Sequence, residues 1–465
     1  NKMKTAKEIF RKIIPTRLFR AGQPVYHYLL ALVGAVRYGF PSRKLFVIGV
    51  TGTKGKSSVT EIIAAILEEA GYKTALSNTI RFKIAEHSEP NMHKMSMPGL
   101  FFMQNFLTRA VEAGCTHAVV EMTSEGAKQF RHKFIDLNAF VFTNLSPEHI
   151  ESHGSFEKYR AAKLSIAKLI QTSCKSITYI VANADEPESA AFLAMSSKPT
   201  TEKIPYFLRD AEPYNLFQNG LEMTFRGVKN GDEKSDEKTG SAACTKINAK
   251  LEGLFNIYNI LAAATLASAI GIETETIRHA VEKISVIKGR GEHIYAHGDM
   301  AAAQEAGQNF DVVVDYAHTA DSLEKFYQAF EGRPKICILG NTGGGRDKWK
   351  RPVMAGIAEK YCDQVILTNE DPYDEDPQTI LDEMAVAVSK EKLKIILDRR
   401  EAIREAIQAA VKSAGENIAG GKNKKVVVLI TGKGTDPYIM GANGTKMPWS
   451  DATVAREEVE KVLGK

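Results

Sequence analysis

The stretch that most restricts the fold is Thr51-Gly52-Thr53-Lys54-Gly55-Lys56-Ser57, because of what flanks it. Before it, Leu45-Phe46-Val47-Ile48 is a short continuous apolar run that reads as a buried parallel strand. After it, Val59, Ile62, Ile63, Ile66 and Leu67 recur at helical spacing, and Gly71 stands where a helix C-cap belongs. Strand, glycine-rich turn and helix in that order make a phosphate cradle. Small residues let backbone N–H groups close around phosphate oxygens, and the helix N-terminus adds its dipole. Lys56 is then placed to reach terminal phosphates and Ser57 to ligate Mg²⁺, with Thr51, Gly52, Thr53, Lys54, Gly55 and Ser58 completing the loop. The general GxxxxGK(S/T) pattern wants glycine at position 50; this chain has Val50, with Gly49 one place early.

Further apolar runs at Ala118-Val119-Val120 and Ala139-Phe140-Val141-Phe142 extend an open parallel α/β sheet. A polar stretch from Gly227 to Gly240 reads as an exposed loop inside a β-rich insertion. After Gly289-Arg290-Gly291-Glu292 a second alternation begins, with strands expected at Val312–Val314, Ile336–Leu339, Val365–Leu367, Ile395–Leu397 and Val426–Ile430. The expected architecture is α/β: a short basic helical segment over 1–44, a P-loop ATPase-like central domain with a parallel sheet over 45–290, and a Rossmann-like doubly wound domain over 291–465. Such sheets bind ligands beyond the carboxyl ends of their strands, which points to a cleft between the two.

At 465 residues the chain is too long for one core. A formal charge of +5 does not point to nucleic acid. Cys115, Cys174, Cys244, Cys337 and Cys362 form no CxxC pair, so neither a zinc ribbon nor a disulfide framework is suggested, and a reducing cytoplasm fits. The longest apolar stretch, Val25 to Val36, falls short of the ~20 residues that span a bilayer.

Several further segments carry a family resemblance. TGTKGKSS is similar to the TGTxGKT/S phosphate loop of the Mur ligases and their relatives, the folylpolyglutamate and cyanophycin synthetases. Glu121-Met122-Thr123-Ser124 resembles the family's ExSS segment, and Thr143-Asn144-Leu145-Ser146-Pro147-Glu148-His149 its TNLxxDH segment. His153-Gly154-Ser155-Phe156 leading to Ala161-Ala162-Lys163 matches HGSxxxYxxAK, Gly253 to Asn259 resembles GxFNxxN, and Gly289 to Glu292 resembles GRxE. In the last third, Asp315 to Asp321 resembles DYAHTPD, Gly343 to Pro352 resembles GGDRDxxKRP with Gly345 for the first Asp, and Gly432-Lys433-Gly434 resembles the GKGHE segment. Together these look closest to the branch that adds the third amino acid to UDP-N-acetylmuramoyl dipeptide.

The resemblance implies an ATP- and Mg²⁺-dependent ligase that joins a carboxylate to an amine through an acyl phosphate. It implies Lys56, Glu121, His149 and Lys163 as catalytic residues, with Ser57, Glu121 and His149 as metal ligands and Lys163 carbamoylated by CO₂. Asn259 is implied at the adenine, Arg290 at phosphates or ribose, and Asp315 at the ribose hydroxyls. Ser77, Asn78, Thr79, Thr123, Ser124, Arg346, Asp371, Tyr373, Gly432 and Asp436 are implied at the substrates, with Met97-Pro98-Gly99 beside them. Its partners would be small molecules and not nucleic acid, and a cytoplasmic monomer is expected. The same chemistry on another substrate, as in folylpolyglutamate or cyanophycin synthetases, and an ATP-binding subunit of an amidotransferase are the alternatives.

Two features depart from the branch. The diaminopimelate-adding enzymes carry DNPR, and this chain reads Glu370-Asp371-Pro372-Tyr373, which removes a bidentate cation for a distal carboxylate. An acceptor other than meso-diaminopimelate is therefore expected, with Asp371 and Asp436 available for a positively charged amine. Only 44 residues precede the ATP domain, fewer than the family's uridine-nucleotide domain needs. In this segment Tyr26, Leu29, Leu30 and Val33 are expected to pack as a helix on the ATP domain. The alternative is an interfacial helix over residues 1–40, with Lys2, Lys4, Lys7, Arg11 and Lys12 drawn to anionic lipid.

Overall fold

The computed structural model describes residues 16–99, 101–148, 150–228, 244–298, 300–346, 348–419 and 424–464. The first sheet has eight strands: β1 (Phe46–Thr51), β2 (Thr74–Ser77), β3 (Arg81–Ile84), β4 (His87–Pro90), β5 (His117–Glu121), β6 (Ala139–Phe142), β7 (Thr178–Asn183) and β8 (Thr201–Tyr206). Their order is β4-β3-β2-β5-β1-β6-β7-β8, parallel from β2 to β8, with β3 and β4 added as an antiparallel edge. β1 is central because both its faces are apolar, as a parallel strand covered by helices requires. Ile48 and Val50 face helix α1 (Lys56–Glu69) and helix α2 (Leu254–Ala269); Val47 faces Phe106, Phe140 and Ile166 on the other side. The pairing of Val50 with Glu121 fixes the end of β5 beside the end of β1.

β9 (Tyr214–Phe217), β10 (Gly220–Arg226) and β11 (Cys244–Ala249) form a separate antiparallel sheet, and most of the polar 227–240 loop lies outside the described residues. The third sheet contains β12 (Glu292–His293), β13 (Asp311–Val314), β14 (Lys335–Leu339), β15 (Gln364–Leu367), β16 (Leu393–Ile395) and β17 (Val427–Ile430), ordered β12-β13-β17-β14-β15-β16 and parallel except for β12. β18 (Tyr438–Met440) and β19 (Lys446–Pro448) make a hairpin beyond β17. The expected strand at 395–397 forms two residues earlier, where Leu393 to Ile395 pair with β15, and Leu397 is left exposed.

Two expectations are corrected. The helix Thr16–Arg37 runs through Pro24, but it turns Ala31 and Ala35 inward, whereas Tyr26, Leu29 and Val33 are 51%, 53% and 55% exposed. Its small residues permit close approach: a Cβ on Gly34 would meet the Phe101 ring at 2.9 Å. And Cys337 and Cys362 form a disulfide with Cα atoms 6.1 Å apart. The chain is long between them, but β14 and β15 pair in parallel and Cys362 lies two residues before the start of β15. Among the described residues no helix is long and apolar enough to cross a membrane.

Candidate active site

The carboxyl ends of the two parallel sheets line one cleft of about 1150 Å³. At its floor β1 continues through Val50 and Thr51, so the loop turns at Gly52 rather than at position 50. A Cβ on Gly52 would lie 1.9 Å from Thr143 Oγ1, and one on Gly55, at φ 80°, 2.4 Å from Asn259 Oδ1. Only glycine fits at either place. Lys54 N donates to Asn144 Oδ1 (2.8 Å), and Thr53 Oγ1 shares a hydrogen bond with Tyr159 OH (3.0 Å). Ser58 is buried at the start of α1. Lys56 Nζ folds back onto the carbonyls of Thr53 (2.8 Å) and Gly52 (3.0 Å), and its dehydrated setting lowers its pKa from the usual lysine value.

Beside the loop, Glu121 is 2% exposed and accepts from Ser57 Oγ (2.9 Å), Thr79 N (2.8 Å) and Thr79 Oγ1 (3.0 Å). Carboxylate and hydroxyl oxygens clustered next to a phosphate loop are a donor set suited to Mg²⁺. His149 lies outside the described residues. Ser77 and Asn78 do not reach the cleft, which corrects their expected contact with substrate: both are fully buried. Asn78 Oδ1 accepts from Ile80 N (2.9 Å) and Arg81 N (2.8 Å), and this turn presents Thr79 to Glu121.

Lys163 lies on helix α3 (Phe156–Thr172), N-capped by Ser155. It is not a solvated cation. It is 2% exposed, donates to Gly52 O (2.6 Å) and stands 4.8 Å from the centre of the Tyr159 ring. Burial, and then the neighbouring Lys56, hold its pKa well below the usual lysine value. Glu148 ties this floor to the other sheet, bonded to Lys54 Nζ (3.1 Å) and His318 Nε2 (3.3 Å).

The three residues expected at the nucleotide surround the loop. Asn259 is packed on Gly55 at the start of α2 and donates to Asn256 Oδ1 (3.0 Å). Arg290 lies over the Tyr316 ring at 4.5 Å, with Nη2 3.4 Å from Ser57 Oγ. Asp315, at the end of β13, accepts from Gly291 N (2.8 Å) and Ala317 N (2.7 Å), and burial raises its pKa.

The same cleft is lined by Arg346, Asp371, Tyr373, Gly432 and Asp436. Asp371 and Asp436 are not open, contrary to expectation. Both bind Lys433, at 2.8 and 3.1 Å, and both bind Lys94 from the first sheet's side, at 2.9 and 2.8 Å. Burial of Asp371 opposes its ionisation, but Lys433 and Lys94 outweigh it and lower its pKa. Neighbouring Glu370 has its pKa raised by burial and then by Asp371, and its Oε2 is left without a hydrogen bond. Tyr373, at φ 52°, meets Arg346 Nη2 through its hydroxyl at 3.4 Å.

Sequence reasoning missed Lys94, Lys433 as a side-chain partner, and Arg131. Arg131 lines the cleft near Thr123 and Ser124, binds the Met97 carbonyl and Gln129 Oε1 (2.6 Å), and keeps Nε without a partner. No spacing rule marks it. It follows helix α4 (Ser124–Lys128), whose N-cap Thr123 accepts from Gly126 N.

Residues 50–267 match the Mur ligase middle domain, and 298–434 match the Mur ligase, glutamate ligase domain. The UDP-N-acetylmuramoyl-L-alanyl-D-glutamate–2,6-diaminopimelate ligase of Syntrophomonas wolfei is 34% identical over 437 residues, covering 92% of this chain and 81% of the relative. That of Geobacillus kaustophilus is 35% identical over 438 residues, covering 93% and 82%. Among solved structures, Mycobacterium tuberculosis folylpolyglutamate synthase complexed with ADP superposes with a TM-score of 0.68 at 16% identity, covering 94% of each chain.

Proposed function

This chain belongs to the Mur ligase family and is an ATP-dependent amide-bond-forming ligase, and on that premise we propose how its cleft divides the work. One observation carries the reading: a phosphate loop, the lysine-paired aspartates Asp371 and Asp436, and Arg131 all line one cleft. The carboxylate substrate lies near Thr123, Ser124 and Arg131, and its oxygen bonds to the γ-phosphorus of ATP as ADP leaves. An amine at the Asp371–Asp436 end then attacks the acyl phosphate, inorganic phosphate leaves, and the amine's proton passes to solvent. Lys56 exchanges its two loop carbonyls for phosphate oxygens, and Arg290 and the N-terminus of α1 hold the rest of the chain of phosphates. Asn259 and Asp315 hold the nucleoside. Ser57 and Glu121 hold Mg²⁺, which supplies charge neutralisation as phosphate is transferred.

Lys163 is proposed as a carbamate. Its buried amine, held neutral more readily than an ordinary lysine, adds CO₂ with loss of one proton, turning a cation into an anion beside Lys56. The 45–290 and 291–465 spans are the two catalytic domains, working as a monomer in the cytoplasm, where ATP is. The carboxylate is that of a muramoyl-peptide-like precursor, in line with the relatives' names, and the acceptor is a neutral or basic amino acid rather than meso-diaminopimelate. Phosphate release from ATP across a matrix of muramoyl peptides and amino acids, with mass spectrometry of the product, tests this. Efficient turnover with diaminopimelate alone would overturn the acceptor assignment. A folylpolyglutamate-type ligase is the second reading, favoured only by likeness of fold.

Residues 1–40 are proposed to touch an anionic membrane surface. The helix Thr16–Arg37 leaves Val25, Tyr26, Leu29, Val33 and Val36 exposed, and the first 44 residues carry a single acidic side chain, Glu8. Co-sedimentation with anionic but not neutral vesicles, weakened by salt and lost on deleting 1–40, is expected. Retention of the full chain in the supernatant would make the helix purely structural.

A further inference from the structure

Lys94 occupies a position that its own sequence context does not explain. It sits on the turn after β4 at φ 54°, in the left-handed region that side-chain-bearing residues rarely adopt. Asn91, 2% exposed, builds that turn: its amide donates to the carbonyls of Asn78 (2.7 Å) and Met95 (3.0 Å), and its Oδ1 accepts from His93 N (2.9 Å). From there the Lys94 ammonium crosses the cleft to Asp371 Oδ2 at 2.9 Å and Asp436 Oδ2 at 2.8 Å. Lys433 binds the same pair from within their own half of the molecule and is fully buried, whereas the Lys94 side chain comes from the opposite wall and keeps 18% of its exposure. Two aspartates and two lysines make a neutral set. Without Lys94, one lysine faces two aspartates, and the wall of the cleft carries a net negative charge.

We propose that Lys94 is a displaceable stand-in for an ammonium of the incoming amino acid, so that an acceptor bearing a second primary ammonium takes its place between Asp371 and Asp436. This rests on reading the cleft as that of an amide ligase. Displacement is an exchange of one ammonium for another, with no proton to move and no charge left unpaired. It selects for acceptors with an ammonium beyond the reacting amine, since a neutral side chain cannot replace Lys94 without stranding a carboxylate. It also sets a threshold, because the pocket binds only in the fraction of molecules that have released Lys94.

Calorimetry with L-lysine and L-ornithine as probes, ADP present, tests this on the full chain. Lys94→Met is expected to bind L-lysine about tenfold more tightly than the unchanged protein, as removal of a competing state predicts. L-Alanine should gain nothing. Weaker or unchanged L-lysine binding in Lys94→Met overturns the proposal, the first by making Lys94 a direct ligand of the acceptor and the second by making it a plain structural bridge. Hydrogen exchange on the unchanged protein supplies a readout independent of any variant: the 91–97 turn should exchange faster at saturating L-lysine, and an unchanged rate counts against displacement. Neither measurement needs turnover, so failure to find a carboxylate substrate leaves both intact. Conversely, ADP formation with an amino acid that neither tightens in Lys94→Met nor loosens the turn ends this inference and leaves the ligase reading standing.

Discussion

Two pairs of lysines beside the cleft stand in opposite electrostatic settings. At the phosphate loop, Lys56 and Lys163 both donate to the Gly52 carbonyl, and dehydration lowers the pKa of each. At the Asp371–Asp436 pair, Lys94 and Lys433 are each bonded to two carboxylates, and for Lys94 Asp436 and Asp371 more than offset the effect of burial and raise its pKa. Backbone carbonyls solvate a cation but do not neutralise it, so Lys56 is prepared for anions that arrive, and the proposed carbamate on Lys163 is one of them. The second pair is already matched and must exchange a partner before it can bind. The difference teaches where each substrate's charge is expected: anionic phosphate at the floor, cationic amine at the wall.

The largest effect is expected from Lys56→Ala, which should lower ADP formation by at least about 100-fold while circular dichroism and melting temperature change little, because a charge and almost no core is removed. Normal turnover in that variant would end the phosphate-loop reading. Lys163→Ala should lose a comparable factor of about 100, and formate or acetate should partly restore it, since the missing function is an anion. A lysine left as a plain ammonium would give no rescue, and the intact protein's mass would lack the added CO₂. The pH dependence has a definite sign: as pH falls through the lowered pKa of Lys163 its amine protonates, carbamate is lost, and activity should drop on the acid side and recover with added bicarbonate.

Glu121→Ala should raise the Mg²⁺ requirement by roughly 10–100-fold, offset by high Mg²⁺; activity independent of Mg²⁺ would remove that site altogether. The smallest change belongs to the matched pair. Asp436→Asn should leave ATP binding unaltered and raise KM for a basic acceptor about tenfold, about the worth of one hydrogen bond to a charged group, ~1.5 kcal/mol. If ADP binding weakens instead, the phosphate loop and the aspartate pair are not independent as described.

Much was legible in the chain itself. Local periodicity marks β1, α1, β5, β6 and the core strands of the third sheet, because a parallel strand between helices must be apolar on both faces and a helix must repeat every three to four residues. The phosphate loop is equally local: Gly52, Gly55, Lys56 and Ser57 act within one turn, so their order alone predicts their arrangement. Where the reading failed, the cause was long range. Position 50 looked defective as a loop glycine only because the last residues of β1 are indistinguishable in sequence from the start of the loop. The helix Thr16–Arg37 offered two apolar stripes, and contact with Phe101 selected the stripe of small residues, Ala31, Gly34 and Ala35. Cys337 and Cys362 looked unrelated until parallel pairing set them side by side.

What the sequence determined by itself was therefore the apolar core strands, the helix after the phosphate loop, the loop and the family, each carried by residues close together in the chain. Only the tertiary structure decided which charges meet. Lys94 and Asp371 are 277 positions apart, and Arg131 reaches Met97 from 34 positions away, a contact that no periodicity reports. Charge pairing depends on a few ångströms between side chains from different elements, and propensity along a chain holds no information about that distance.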